Sequence, residues 1–273
     1  MLPIDWNVAI KYAKLVALAE SIPPAGDDNA LKTAITNAGY TYLETLYANE
    51  VATEVNPHAG EIVSYGFLAL SPTNELVASI RGTDTVWEWI HDASFLMVPS
   101  PIQSMTGFTE DGFTAIYRGL RIGRPAGSTS AVAAINAQLT AGDATSVTVC
   151  GHSLGGALAT LLIADVALNT PCKSPIGYTF ASPRTGDHIF ASSFNALVPA
   201  NYRITNRQDV VPQLPPILPL PYEHVNTRYE LNPPFGKVKS SLLCMHHLTT
   251  YIWLMEQQPG ATGTDPLNPE CVG

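Results

Sequence analysis

The sequence predicts an α/β fold in which helices cover both faces of a mostly parallel sheet. Three features point there. Short β-branched runs alternate with helical stretches along the chain. A serine flanked by glycines stands between one such run and an alanine- and leucine-rich stretch, in "VTVCGHSLGGALATLLI" at 147–163. The chain has 273 residues, 46% hydrophobic and only 14% charged, which suits a large core; a soluble chain usually carries about a quarter of charged residues.

Taken in order, residues 7–21 read as a helix stopped by Pro23-Pro24, and a second helical stretch follows Asp27-Asp28. "EIVSYGFLAL" and "ELVASIRG", parted by the turn signal "SPTN", read as paired strands. Helices are expected over 110–121 and 128–140, the second running up to Gly142. Val147-Thr148-Val149-Cys150 has the length and residue types of a buried strand, and residues 157–164 are rich in helix formers and apolar on most faces. A strand "IGYTFAS", a helix "HIFASSFNAL" and a strand "NYRITN" follow. "VPQLPPILPLPY" has five prolines in twelve residues and reads as a stiff apolar loop walling a pocket, in preference to a ligand for a proline-reading domain. "VNTRYEL" reads as an edge strand and "LTTYIWLMEQ" as a closing helix. No charge run, Gly/Ser linker or repeat divides the chain, so a single domain is expected over 1–273.

A net charge of −9 and a pI near 5.1 argue against a nucleic-acid partner, which needs clustered Lys and Arg. No apolar run approaches the ~20 residues of a membrane span. The first twenty residues lack a signal-peptide layout and look like an amphipathic helix, which leaves a cytosolic protein or a secreted mature form, the latter preferred. Cys150, Cys172, Cys244 and Cys271 show no C-x-x-C spacing, so no metal site is expected; one disulfide among the last three stays open.

Gly151-His152-Ser153-Leu154-Gly155 fits G-x-S-x-G, the strand–turn–helix that lifts a serine hydroxyl above a sheet edge at a helix N-terminus. Its glycines let strand and helix approach closely around a strained residue. A serine hydroxyl needs a base, and the base an orienting acid; in this arrangement the chain order is serine, acid, histidine. Asp209 follows "NYRITN" by a few residues and is preferred to Asp165, inside the elbow's own helix, and to Asp187, placed to cap the helix at 188–197. His224 comes before an apparent strand and reads as a loop or core hydrogen-bonder. His246 and His247 sit at a loop-to-helix junction, and spacing alone does not separate them.

Across residues 60 to 255 the chain resembles the fungal-type (class 3) lipase family of the α/β-hydrolase superfamily. The likeness rests on "SIRGTDTVWEWIHD", "DGFTAIY", "VTVCGHSLGGALATL", "TFASPRTGD", "YRITNRQDVVPQLPP" and "HHLTTYIWL" in this order. The resemblance implies an α/β-hydrolase fold with a short helical lid, Ser153 as nucleophile and Asp209 as acid. It favours His246 as base, with Tyr251 five residues on and Leu248 between; members with a shorter His–Tyr spacing keep His247 in play. One oxyanion donor is the backbone N–H of Leu154, the residue after the serine. The resemblance supplies the second, Thr83 in "RGT".

In "DTVWEWIHDA", Val86, Trp89, Ile90 and Ala93 share one helical face, opposite Thr85, Glu88, His91 and Asp92, with Trp87 at the border. In lipases of this family the matching segment, here 84–94, is a lid; two tryptophans suit contact with a lipid–water interface. The expected activity is hydrolysis of lipid or other hydrophobic carboxylic esters through an acyl-enzyme, with triacylglycerol first and no cofactor. Feruloyl esterase and phospholipase A1 activity are the alternatives within the family. An inactive lipid-binding module is the alternative from another class.

Overall fold

The computed structural model describes residues 3–21, 28–49, 61–83, 95–123, 129–225 and 228–273. Their elements begin with α1 (Trp6–Glu20), α2 (Asp28–Asn37), β1 (Thr41–Asn49), β2 (Ile62–Leu70), β3 (Glu75–Ile80), β4 (Met97–Pro99) and β5 (Phe108–Glu110). Next come α3 (Asp111–Gly119), β6 (Arg121–Ile122), α4 (Ala131–Ala141), β7 (Ser146–His152), α5 (Leu154–Asn169), β8 (Ile176–Phe180), β9 (Gly186–Asp187) and α6 (His188–Leu197). The last are β10 (Asn201–Asn206), β11 (Tyr222–Glu223), β12 (Arg228–Leu231), α7 (Leu242–His246) and α8 (Leu248–Glu256).

Eight strands form the main sheet in the order β12-β10-β8-β7-β3-β2-β1-β6. From β3 to β12 all neighbours are parallel, whereas β2, β1 and β6 add an antiparallel edge. The pleat sorts side chains to two faces. Leu76, Ala78 and Ile80 of β3 and Val147 and Val149 of β7 join a core with residues of α3, α4, α5 and α6. Val77 and Cys150 point the other way, into a core with α1, α2 and α8. Strands buried on both faces read as apolar runs, which explains their clear signal in the sequence.

The helices expected within the described residues and the paired strands are present, and β12 is the edge strand that "VNTRYEL" suggests. Asp5 caps α1 through the backbone N–H groups of Asn7 and Val8. Gly142 closes α4 in the left-handed conformation, φ 83°. Two features leave no periodic signal in the sequence. β1 carries register shifts at Tyr42/Glu44 and Leu46/Tyr47, which break its alternation. A second sheet, β11-β9-β5-β4, is built of strands two or three residues long, too short for a period to show.

Candidate active site

Ser153 lies between β7, at the middle of the main sheet, and α5. Its backbone has φ 55° and ψ −126°, a conformation that costs a non-glycine residue about 1–3 kcal/mol and persists only where the surroundings impose it. The surroundings do so by close approach. A Cβ on Gly151 would lie 2.1 Å from the Gly155 carbonyl oxygen, and one on Gly155 would lie 2.3 Å from that of Arg81. The spacing of glycines in the motif is therefore a packing requirement of the turn. Leu154 is the first residue of α5, so its N–H has no helical carbonyl to meet and lies at the positive end of the helix dipole.

His246 ends α7, and its ring bridges the other two residues expected of the site. Ser153 Oγ donates to His246 Nε2 at 2.8 Å, and His246 Nδ1–H donates to Asp209 Oδ2 at 2.9 Å. All three are buried, Ser153 at 1%, Asp209 at 2% and His246 at 4% exposure. Burial pulls the His246 pKa below its ordinary value, against the opposing charge and hydrogen bond of Asp209. The imidazole is thus neutral near pH 7, with its unprotonated Nε2 toward the serine. His247 instead stands at the junction of α7 and α8, where its carbonyl accepts from Thr250 N–H at 3.0 Å. The structure brings His246 to the serine.

The carboxylate has further donors. Val211 N–H reaches Asp209 Oδ1 at 3.0 Å, and the Tyr251 hydroxyl reaches Oδ2 at 2.8 Å. Burial and the facing carboxylate hold the Tyr251 phenol well above its ordinary pKa, so it stays a donor. Asn206 N–H in turn donates to the Tyr251 oxygen at 2.9 Å. In the sequence Tyr251 served only as a spacing marker; its hydrogen bond is a function the sequence did not disclose.

The rival residues are otherwise engaged. Asp165 accepts from the Tyr117 hydroxyl at 2.5 Å. Asp187 caps α6 through Phe190 N–H at 2.8 Å, as its position suggests. His224 Nε2–H donates to the Pro212 carbonyl at 2.5 Å, and burial pushes its pKa down to about 3, with the Arg203 charge adding to the effect. It is a neutral loop hydrogen-bonder.

Thr83 is half-buried two residues beyond Arg81, and Gly82 packs directly on the serine, since a Cβ there would sit 3.1 Å from Ser153 Cβ. The expected lid, 84–94 with Val86, Trp87, Trp89 and Ile90, lies outside the described residues. In the proline-rich loop, Ile217 and Leu218 face outward, 59% and 75% exposed, while Arg184 ties the loop down through the Gln213 and Pro215 carbonyls. Cys244 and Cys271 form a disulfide, which settles the pairing left open by the sequence; Cys150 and Cys172 are free.

Residues 77–218, more than half of the chain, match the family model described as Lipase (class 3). The chain is 33% identical over 159 residues to the secreted mono- and diacylglycerol lipase 1 of Fusarium solani, a span of 58% of this chain and 44% of that protein. It is 30% identical over 225 residues to phospholipase A1-IIgamma of Arabidopsis thaliana, 73% of this chain and 51% of that one. The chain spans about half the length of the curated relatives it matches. Among solved structures, the native Rhizomucor miehei lipase propeptide complex superposes with a TM-score of 0.62 at 20% identity, covering 93% of this chain and 80% of that one. That likeness identifies the main sheet and its helices as an α/β-hydrolase fold. With most of its sheet and its serine turn inside the family model, the chain belongs to the class 3 lipase family.

Proposed function

We propose that the chain is a serine hydrolase of lipid carboxylic esters, with triacylglycerol as the first substrate to test. The observation that carries this reading is the unbroken hydrogen-bonded chain from Ser153 Oγ through His246 to Asp209. His246 Nε2 takes the hydroxyl proton as Oγ attacks the ester carbonyl. Asp209 holds the tautomer and stabilises the imidazolium. The tetrahedral oxyanion rests on Leu154 N–H and on Thr83, each such donor being worth about 3 kcal/mol in the transition state. His246 then protonates the leaving alcohol, and a water activated in the same way releases the fatty acid. Every proton moves between groups already in the site, so the reaction calls for no metal or organic cofactor.

The amphipathic pattern of 84–94, which begins beside Thr83, supports a lid that gates acyl-chain access and meets the lipid–water interface through Trp87 and Trp89. A phospholipase A1 reading is favoured by the name of the Arabidopsis relative. Secretion is supported by the Cys244–Cys271 disulfide and by the secreted Fusarium relative. No helix among the described residues is long and apolar enough to cross a membrane.

A serine-directed phosphonate tests the reading, followed by tributyrin, long-chain triglyceride, phospholipid and feruloyl ester assays. The wild type should label and Ser153→Ala should not. Equal labelling of both removes Ser153 from its role, and an unlabelled wild type that binds lipid vesicles supports an inactive lipid-binding module instead.

A further inference from the structure

His152, the residue before the serine, has both ring nitrogens engaged. Nδ1 lies 2.8 Å from Glu20 Oε1, at the end of α1, and Nε2 lies 2.9 Å from the main-chain carbonyl oxygen of His246. A carbonyl oxygen only accepts, so Nε2 must carry a proton. An ionised carboxylate also only accepts, so Nδ1 must carry one as well. The Glu20 side chain keeps about a third of its surface in contact with solvent (32%), which favours its ionised form, whereas the His152 side chain is 7% exposed.

We propose that Glu20 and His152 form a positioning ion pair, in which Glu20 holds His152 as a buried imidazolium that clamps the backbone of His246. The inference rests on the reading of His246 as the base. Charge-assisted hydrogen bonds are about twice as strong as neutral ones, so the clamp holds the main chain of the short helix α7 at the residue whose ring meets Ser153. The imidazolium also faces the His246 ring, with centroids 4.8 Å apart and planes tilted by 33°. A positive charge there opposes protonation of His246 and keeps it ready as a base. Glu20 lies outside the residues covered by the family model, so α1 adds a side chain to the site from a distant part of the chain.

The charges around His152 act consistently with this pair. Glu20 faces it from α1, Asp209 from the loop after β10, His246 from α7 and Tyr251, edge-on, from α8, while His247 at the α7–α8 junction acts on Glu20. Burial lowers the His152 pKa, but the Glu20 charge and hydrogen bond, the His246 carbonyl and Asp209 outweigh it and leave the value raised. Burial raises the Glu20 pKa, yet His152 brings it below the ordinary carboxylate value. His152 is in turn one of the groups that lower His246.

Two measurements test the pair. Long-range ¹H–¹⁵N spectra of the histidine rings at pH 7.5, about one unit above an ordinary histidine pKa, should show both His152 nitrogens protonated in the wild type. In Glu20→Gln the amide donates to Nδ1 while Nε2–H keeps the carbonyl, so a single neutral tautomer is expected. With p-nitrophenyl butyrate as a soluble substrate, the acid limb of kcat/KM in Glu20→Gln should move up by roughly half a pH unit, because the nearer of the two lost charges is the positive one. KM should stay within about twofold. A neutral His152 in the wild type, or superposable pH profiles, overturns the proposal. Should the wild type turn over no ester, the hydrolase reading fails by itself, and the spectra still decide the ion pair.

Discussion

Ser153 and His246, its proposed base, are held by opposite means. Ser153 sits between the central strand and the helix behind it, with backbone atoms so close that Gly151 and Gly155 cannot carry a side chain. His246 ends a helix of five residues whose first two, Leu242 and Leu243, are more than half exposed. What fixes His246 is a set of bonds to remote parts of the chain: its ring to Asp209, its carbonyl to His152, which Glu20 holds in turn, and α7 to the C-terminal tail through Cys244–Cys271. Asn206 Nδ2–H adds a bond to the Met245 carbonyl at 2.8 Å. Steric fixation is set by close-packed main chain and is robust; fixation by separate bonds can be loosened one bond at a time.

Variants can break this contrast at either end. The largest effect is expected from His246→Ala, which should lower kcat by about 10⁴-fold or more and leave the near-ultraviolet circular dichroism unchanged, since the residue acts as part of one unit with Ser153. Next comes Gly155→Ala. Its methyl group would meet the Arg81 and Ile80 carbonyl oxygens at 2.3 and 2.4 Å, both main-chain atoms, so urea unfolding should show a loss of about 3 kcal/mol or more.

Among the bonds that hold His246 in place the losses should be smaller and graded. Cys271→Ser opens a cross-link between residues 27 apart, which chain entropy values at about 2–4 kcal/mol of stability, and phosphonate labelling of Ser153 should slow before the fold melts. Tyr251→Phe removes one of the donors to Asp209 and should cost about 1.5 kcal/mol, read as a roughly tenfold lower kcat with little change in KM. A Tyr251→Phe loss as large as that of His246→Ala would mean that the carboxylate depends on one bond alone.

The same contrast explains what the sequence disclosed. The elbow was legible because its constraint is local: glycines at fixed offsets, a β-branched run before them and helix formers after. Asp209 was legible because the acid must follow a strand end on the serine's side of the sheet. His246 and His247 were not separable by spacing, since neighbouring residues at a helix junction differ only in direction, and direction is set by partners far away in the chain. Glu20 left no signal at all, being one more acidic residue at the end of an amphipathic helix until α1 packs against β7. The disulfide was undecided for a similar reason, as its pairing depends on where the tail returns. β1 was hidden by its own bulges.

The proposed mechanism puts the acyl group on Ser153 Oγ. Rapid mixing with p-nitrophenyl butyrate, acid quench, digestion and mass spectrometry test it directly. A butyryl group is expected on the peptide that contains Ser153 and is expected to be absent in Ser153→Ala. Continued ester turnover with no adduct there, or with the acyl group on another residue, would contradict it.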